Sequence, residues 1–166
     1  MNDTSVITQF YKELEAEIPA TRKCIERVSE NLYTWKPHEK SMTMGYLTSL
    51  VTEIPRWIAV MIKSGEIDFQ TFQHTQANTT QEMVTLFDTY TNEAKQALKE
   101  LTVDQLSKPF VLRSGNQIMI NSPLIENLSS TLNHWVHHRG QLTVYMRLNN
   151  IDVPSIYGPS ADEKTF

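Results

Sequence analysis

Apolar residues recur at helical spacing along most of this chain. Between Val6 and Ile18 an apolar residue stands at every fourth position, and the pattern resumes after Pro19 and continues to Val28. Residues four apart lie above one another on a helix, so these side chains share one face. The pattern predicts a first helix over residues 4–29, broken at Pro19 because proline removes one backbone hydrogen bond.

The second apolar face is the most regular in the sequence and covers residues 47–62. Thr43 precedes it and is a suitable N-cap, while Gly65 follows it and is suited to the left-handed conformation that ends many helices. Pro55 lies inside the pattern and predicts a kink. These signals predict a second helix of about four turns between the two caps.

Two further helices and a short extended segment complete the predicted fold. Residues 83–101 form an apolar face behind Thr79, and Glu82 stands three residues later, which is capping-box spacing. The last helix begins at Ser122-Pro123 and runs to about residue 149. Before it, apolar residues within 110–120 flank the turn sequence at 114–116 and predict a hairpin or an extended loop.

Four amphipathic helices without an internal repeat predict an all-α four-helix bundle with a short extended or hairpin segment before the last helix. The length of 166 residues, with 40% apolar and 20% charged residues, is that of one globular domain, which we expect to span residues 1–166. No Gly-rich phosphate loop, G-x-S-x-G elbow or H-E-x-x-H motif occurs. The common nucleotide-binding, serine hydrolase and zincin classes therefore have no support in the sequence.

The charge and the hydropathy limit the partners and the location. Fifteen basic and nineteen acidic residues give a net charge of −4, which argues against a nucleic-acid or anionic-membrane partner. No segment has the ~18 apolar residues that span a bilayer, and the N-terminus lacks a signal-peptide core. We expect a cytoplasmic protein in which the single cysteine, Cys24, is a reduced, buried and inert thiol.

The histidines are the unusual feature of the composition. Three of the five, His134, His137 and His138, fall within one short stretch of the last helix. At ~100° per residue, His134 and His138 share a strip with Gln141 beside the apolar face, whereas His137 points away from it. Two imidazoles one turn apart can chelate a metal if a facing helix supplies a third ligand. Inward histidines are also often held by hydrogen bonds alone, so both interpretations stay open.

Three stretches resemble one known family. They read HWVHHRGQL at 134–142, WKPHEKSMT at 35–43 and NNIDVPSIYGPSADE at 149–163, and their order and spacing match over essentially the whole chain. They identify the chain as similar to the DinB-like family, which is regarded as a family of metalloenzymes. The resemblance implies a four-helix bundle with a histidine triad for nickel or zinc, in which His134 and His138 are two of the ligands. It also implies a homodimer that acts on a small molecule, in some relatives as a thiol-dependent transferase or isomerase.

The third ligand of the family's triad is missing from this sequence. Matching GYLTSLV at 45–51 to the family's pattern places that ligand at position 50, which is Leu50. Glu53 stands one turn further on, and Tyr46, His38 and His74 are other donors that the sequence cannot place in space. Two hypotheses follow: a divalent-metal-dependent enzyme with an incomplete triad, or a non-catalytic bundle that has lost the metal and binds a ligand or a protein partner.

Other conspicuous residues have structural interpretations. We expect Trp35, Trp57 and Trp135 to fill the core or an interface, since large aromatic side chains usually do. Arg139 is expected to pair with an acidic residue of a neighbouring helix. Glu13, Glu15 and Glu17 form an acidic cluster that predicts a solvated helix face.

Overall fold

The computed structural model describes residues 3–164, which form five α-helices and a three-stranded sheet. In chain order the elements are α1 (Asp3–Arg27), α2 (Met44–Ser64), β1 (Glu66–Asp68), α3 (Thr80–Glu100), α4 (Val103–Leu106), β2 (Pro109–Ser114), β3 (Gln117–Pro123) and α5 (Leu124–Leu148). The four long helices α1, α2, α3 and α5 are those that the sequence predicts.

Three predicted helix ends are confirmed, whereas α5 begins one residue later than predicted, with Pro123 rather than Ser122 as its N-cap. The Thr43 hydroxyl accepts from the Tyr46 N–H at 3.2 Å, and the full capping box forms between Thr79 and Glu82. Gly65 has φ +70° and donates its N–H to the Met61 carbonyl. The break predicted at Pro19 is absent, because α1 continues through it; a proline removes only one N–H, and the flanking turns keep the helix intact.

The core lies between the four long helices. Leu14 of α1, Leu47 and Ile54 of α2, Phe87 of α3 and Trp135 of α5 are fully or almost fully buried. The Trp135 indole N–H donates to the Val51 carbonyl at 2.9 Å, which ties α5 to α2 inside this core. The core role predicted for Trp135 is therefore confirmed, and the second and last long helices, α2 and α5, are fixed side by side.

The sheet makes the fold mostly helical rather than all-α. The predicted hairpin exists as the antiparallel pair β2 and β3, joined at Gly115 with φ +58°. The sequence analysis missed β1, which pairs in parallel with β2 directly after α2 ends. A strand of three residues has too few positions to show a period-two pattern in the sequence. β1 is stabilised by a residue far along the chain, since Arg113 of β2 pairs with Glu66 at 2.8 Å and with Asp68 at 3.1 Å.

The segment after α5 is irregular, as predicted, and charged side chains hold it to the bundle. Glu163 accepts from Arg27, from Lys23 at 3.1 Å and from the Ser155 N–H at 3.1 Å. Arg27 is the first cause that holds the pKa of Glu163 down, to about 2. The tail thus closes over α1 through a carboxylate that stays charged at any ordinary pH.

A second polar contact under the tail is buried. Arg139 of α5 is 2% exposed and pairs with Glu17 of α1, and the Tyr157 hydroxyl bonds both side chains at 2.8–2.9 Å. The pairing predicted for Arg139 is confirmed. The solvated face predicted for the acidic cluster is wrong for Glu17, because a buried arginine from a helix far along the chain takes that carboxylate.

Cys24 is fully buried, as predicted, and burial raises the pKa of its thiol to about 11, which favours the inert thiol that the sequence predicts. None of the helices described is both long and apolar enough to cross a bilayer.

Candidate functional site

His134 and His138 face each other on α5. Their Nε2 atoms are 2.7 Å apart, and both side chains are half-buried, whereas His137 is exposed. Nδ1 of His138 lies 2.8 Å from the Gln141 side-chain carbonyl oxygen, which can only accept, so Nδ1 of His138 carries a proton. The strip of His134, His138 and Gln141 predicted from helix geometry is therefore confirmed.

The electrostatics of the pair favour two neutral rings. Burial lowers the pKa of His134, and the neighbouring imidazoles lower it further. Burial also lowers the pKa of His138, against a smaller opposite effect of the Gln141 hydrogen bond. With Nδ1 of His138 protonated, its Nε2 accepts the Nε2–H of His134. The pair forms a directed hydrogen bond near neutral pH, which uses the lone pair of His138 and leaves that of His134 on its Nδ1 atom.

A cavity of about 540 Å³ opens beside His134. Its walls are α2, through Leu50, Glu53 and Trp57, the segment 69–76 that follows β1, and His134 of α5. The indole of Trp57 lies against the His134 ring with centroids 5.6 Å apart. A second cavity of about 250 Å³ shares the Trp57, Phe69 and His134 walls and extends to the sheet. His134 therefore stands at the junction of the two voids, where aromatic side chains line both.

The residues at this site do not fit a three-ligand metal centre. Leu50 lies in the cavity wall together with His134, and its side chain offers no donor atom. Of the side chains that the structure describes, no three from His, Cys, Asp and Glu are grouped so that they hold a metal ion. A catalytic zinc-type site needs three protein ligands, and the described residues supply two imidazoles.

Glu53 does not replace the missing ligand, because other groups already use its carboxylate. It is 3% exposed, and it accepts from the Trp57 indole N–H at 2.9 Å, from Nδ1 of His74 at 2.9 Å and from the Thr75 backbone N–H. Burial alone raises the pKa of Glu53, but the hydrogen bonds from Thr75, His74 and Trp57 outweigh it and hold the pKa below its ordinary value. The carboxylate is therefore ionised and satisfied in the protein.

The other predicted donors are dispersed. Tyr46 lines the cavity but is 61% exposed. His38 is exposed in its own loop, where its Nδ1 accepts from the Lys40 N–H at 3.1 Å, and it does not line the cavity. His74 lies in the cavity wall, but its Nδ1 is bonded to Glu53.

The sequence analysis named Glu53 and His74 only as separate metal donors and missed that they form one cluster. The available signal was the position of Glu53 between Val51 and Ile54 of the apolar pattern, and the structure shows every residue of the run 51–55 buried. An acidic residue within such an apolar stripe requires a partner in the interior, since an unpaired buried charge is too costly. The partner's identity was not readable, because His74 lies 21 residues away along the chain.

Comparisons with known proteins agree with the fold. A family model described as the DinB family matches residues 1–165. Two proteins of Bacillus subtilis (strain 168) are similar to this chain. The uncharacterized protein YjoA is 30% identical over 127 residues, which are 76% of this chain and 80% of that protein. The uncharacterized protein YrdA is 26% identical over 159 residues, which are 95% of this chain and 91% of that protein. The crystal structure of the DinB-like protein YjoA has a TM-score of 0.70 at 23% identity, over 95% of this chain and 99% of that one. A DinB-like protein from Bacillus cereus has a TM-score of 0.67 at 20% identity, over 89% and 95%.

Proposed function

Because the chain belongs to the DinB family, as its three motifs predict, we propose that it is a small-molecule-binding member of that family that works without a metal triad. The ligand occupies the cavity between α2, α5 and the segment 69–76. Neutral His134, held by His138, contacts it through a hydrogen bond rather than through a bound ion.

The observation that carries this proposal is the position of Leu50. The residue lies in the wall of the same cavity as His134, where the family resemblance expects a third imidazole. A leucine there turns a metal-facing position into apolar surface for a ligand. The cavity volume of about 540 Å³ lies within the range of ~300–1,000 Å³ that is usual for small-molecule sites.

The lining indicates the kind of ligand. Trp57 and Phe69 give aromatic surface to both voids, while His134 supplies hydrogen bonding at their junction. Neutral imidazoles bind donors and acceptors without selecting strongly for charge. A small, partly aromatic molecule with one or two polar groups fits this lining.

Saturation-transfer NMR with a set of small phenols, aromatic acids and amides tests the proposal, and each spectrum is recorded before and after the addition of EDTA. We expect binding by the parent protein and by Ile118→Trp, a control substitution at a 59% exposed position of β3 outside both cavities. Leu50→Trp fills the cavity and should abolish binding. Loss of all binding on addition of EDTA, or equal binding by Leu50→Trp, contradicts the proposal.

A divalent-metal-dependent enzyme acting on a small molecule, of the thiol-dependent transferase type, is the second candidate. The geometry of the histidine pair favours it. The Nε2 atoms of His134 and His138 are 2.7 Å apart, and the Gln141 side chain accepts a hydrogen bond from Nδ1 of His138. Metal-binding histidines are usually oriented by such a hydrogen bond at the other ring nitrogen. Metal analysis of untagged protein after dialysis separates the candidates. About one nickel or zinc per chain supports the enzyme, because a folded-state site retains its ion, whereas ~0.1 or less supports the metal-free proposal.

We also propose that the protein is a homodimer that pairs through the outer face of α5. Val144 and Leu148 are 57% and 58% exposed there, and a side chain at Gly140 would meet nothing within 4 Å, so this face is open and apolar. Light scattering should give twice the chain mass, and Val144→Glu should give the monomer. A monomeric parent at high concentration contradicts it. The cytoplasmic location stays a prediction.

A further inference from the structure

We propose that His74, oriented by Glu53, is the proton-accepting residue of the cavity and takes the proton of a ligand O–H or S–H group at its Nε2 atom. The inference rests on the proposed function, since it requires a ligand in the cavity between α2 and α5. It adds an activity to that site, the conversion of a bound phenol or thiol to its anion, and it needs no metal.

The first step of the argument is the tautomer of His74. The ionised Glu53 carboxylate can only accept hydrogen bonds, so Nδ1 of His74, 2.9 Å from Oε1, must donate. A neutral ring that is protonated at Nδ1 has its lone pair at Nε2. Within residues 3–164, no group forms a hydrogen bond with that Nε2 atom, so it is available to a ligand.

The second step is the position of the ring. His74 lies in the wall of the same cavity as His134, and its side chain is 53% exposed. Phe69 stacks on it with centroids 6.5 Å apart, Phe72 meets it edge-on at 5.3 Å, and the adjacent Thr75 N–H is bonded to Glu53. The ring is held by its neighbours but remains open to the cavity, which is the combination that an acid–base residue requires.

The third step is the proton balance. The ligand's O–H or S–H bond breaks, its proton forms a new N–H bond at Nε2 of His74, and the electron pair stays on the ligand as an anion. The imidazolium then carries two N–H groups, one of which donates to Glu53, so the carboxylate stabilises the charge that forms. Nothing is oxidised or reduced, and no co-reactant is needed.

The surrounding charges also favour transfer of the proton from the ligand to His74. Arg56 donates to the Gln73 carbonyl at 2.6 Å, beside His74, and its guanidinium lies over the Phe72 ring at 4.8 Å. This positive charge favours an anionic product near the segment 69–76. The titratable and charged groups around His74 on the packed elements are Tyr46, Glu53 and Arg56 of α2, Tyr90 of α3 and His134 of α5.

p-Nitrophenol is a suitable probe, because only its phenolate form absorbs strongly in the visible range. Spectrophotometric pH titration of the probe with excess parent protein should show about tenfold more phenolate than in buffer at a pH below the free pKa, which equals a shift of ~1 unit. His74→Asn keeps an N–H in the place of Nδ1 and so keeps the bond to Glu53, but it has no acceptor in the place of Nε2. It should bind the probe without the shift. His38→Asn, in an exposed loop outside the cavity, is the matched control and should behave like the parent.

The outcomes separate the two proposals. If His74→Asn shows the same shift as the parent, His74 only anchors the segment 69–76 and the inference is wrong, while the ligand-binding proposal stands. If the parent binds the probe without any shift, the inference is equally wrong. If neither the probe nor any molecule of the NMR set binds the parent, the cavity is not a ligand site and both proposals fail.

Discussion

Leu50→His is the substitution that most directly tests the proposal that Leu50 prevents a three-histidine metal centre in this cavity. Leu50 and His134 line the same cavity, and His138 lies 2.7 Å from His134 through their Nε2 atoms. A third imidazole at position 50 would therefore complete a three-histidine set with one open position. Leu50 is half-buried, so its replacement alone should cost about 1 kcal/mol of folding stability, through lost apolar burial.

The expected gain in thermal stability on adding metal follows from the linkage between metal binding and folding. If the variant binds Zn²⁺ with a Kd of ~1 µM, then 100 µM Zn²⁺ stabilises the folded state by ~2.7 kcal/mol. For a chain of this size each kcal/mol raises Tm by ~2–4 °C, so the expected rise is ~5–11 °C. A two-imidazole site in the parent, with a Kd of ~100 µM, gives ~0.4 kcal/mol and a rise of ~1–2 °C.

Differential scanning fluorimetry with and without 100 µM Zn²⁺ or Ni²⁺ measures the rise in Tm of the parent and of the Leu50→His variant. EDTA should reverse both rises. Leu50→Asn is the matched control, since it is polar and of similar volume but is a poor ligand for these ions. The double variant Leu50→His with His138→Ala should lose most of the gain. Two results refute the reasoning: a Leu50→His variant no more responsive than Leu50→Asn, or a parent that already rises by the amount expected for three ligands.

Three further predictions concern stability and reactivity. Gly140→Ala should raise Tm by ~2–4 °C, because the added Cβ meets nothing within 4 Å and alanine has the better helix propensity by ~1 kcal/mol. Gly45→Ala should lower Tm, because the added Cβ would lie 2.8 Å from Cβ of Tyr33. Calorimetry of the two variants measures both changes. Cys24 should not react with a thiol reagent in the native protein and should react fully in denaturant, measured by absorbance. The pKa of Glu163 is lowered in the folded state to about 2 from an ordinary 4.5, so its contribution to stability is complete above about pH 4.5 and is lost as the pH falls toward 2. Limited proteolysis by pepsin should therefore cut the tail faster as the pH falls through this range. Glu163→Gln should remove this pH dependence.

The parts of the fold that were predictable depend on local sequence. The caps at Thr43, Thr79 and Gly65 are determined by chemistry within one turn, and the sequence analysis placed all three. The shared strip of His134 and His138 needed only helix geometry. By contrast, β1 depends on β2, more than 40 positions later along the chain, and no local pattern marks it.

The composition of the site was harder to predict, because its polar atoms come from separate elements. The sequence supplied one half, the histidine pair, and the family resemblance implies that Leu50 stands in the place of the third metal ligand. It could not show that Glu53 turns toward His74 and Thr75, 21 and 22 residues away. The pairing of Arg139 with Glu17, across 122 residues, was inaccessible for the same reason, although a partner of some kind was predicted.

Glu53 is also the residue that connects the two polar parts of the cavity. Its Oε1 atom accepts from both Nδ1 of His74 and the indole N–H of Trp57, and the indole lies against His134. A buried carboxylate is weak evidence for stability, because desolvation offsets most of what its hydrogen bonds return, and a methionine of similar volume would serve the packing as well. What a methionine could not do is fix the His74 tautomer and the Trp57 indole at the same time. Under the proposed function, Glu53, buried near Leu50, therefore contributes to the polar chemistry of this cavity by fixing the His74 tautomer and the Trp57 indole.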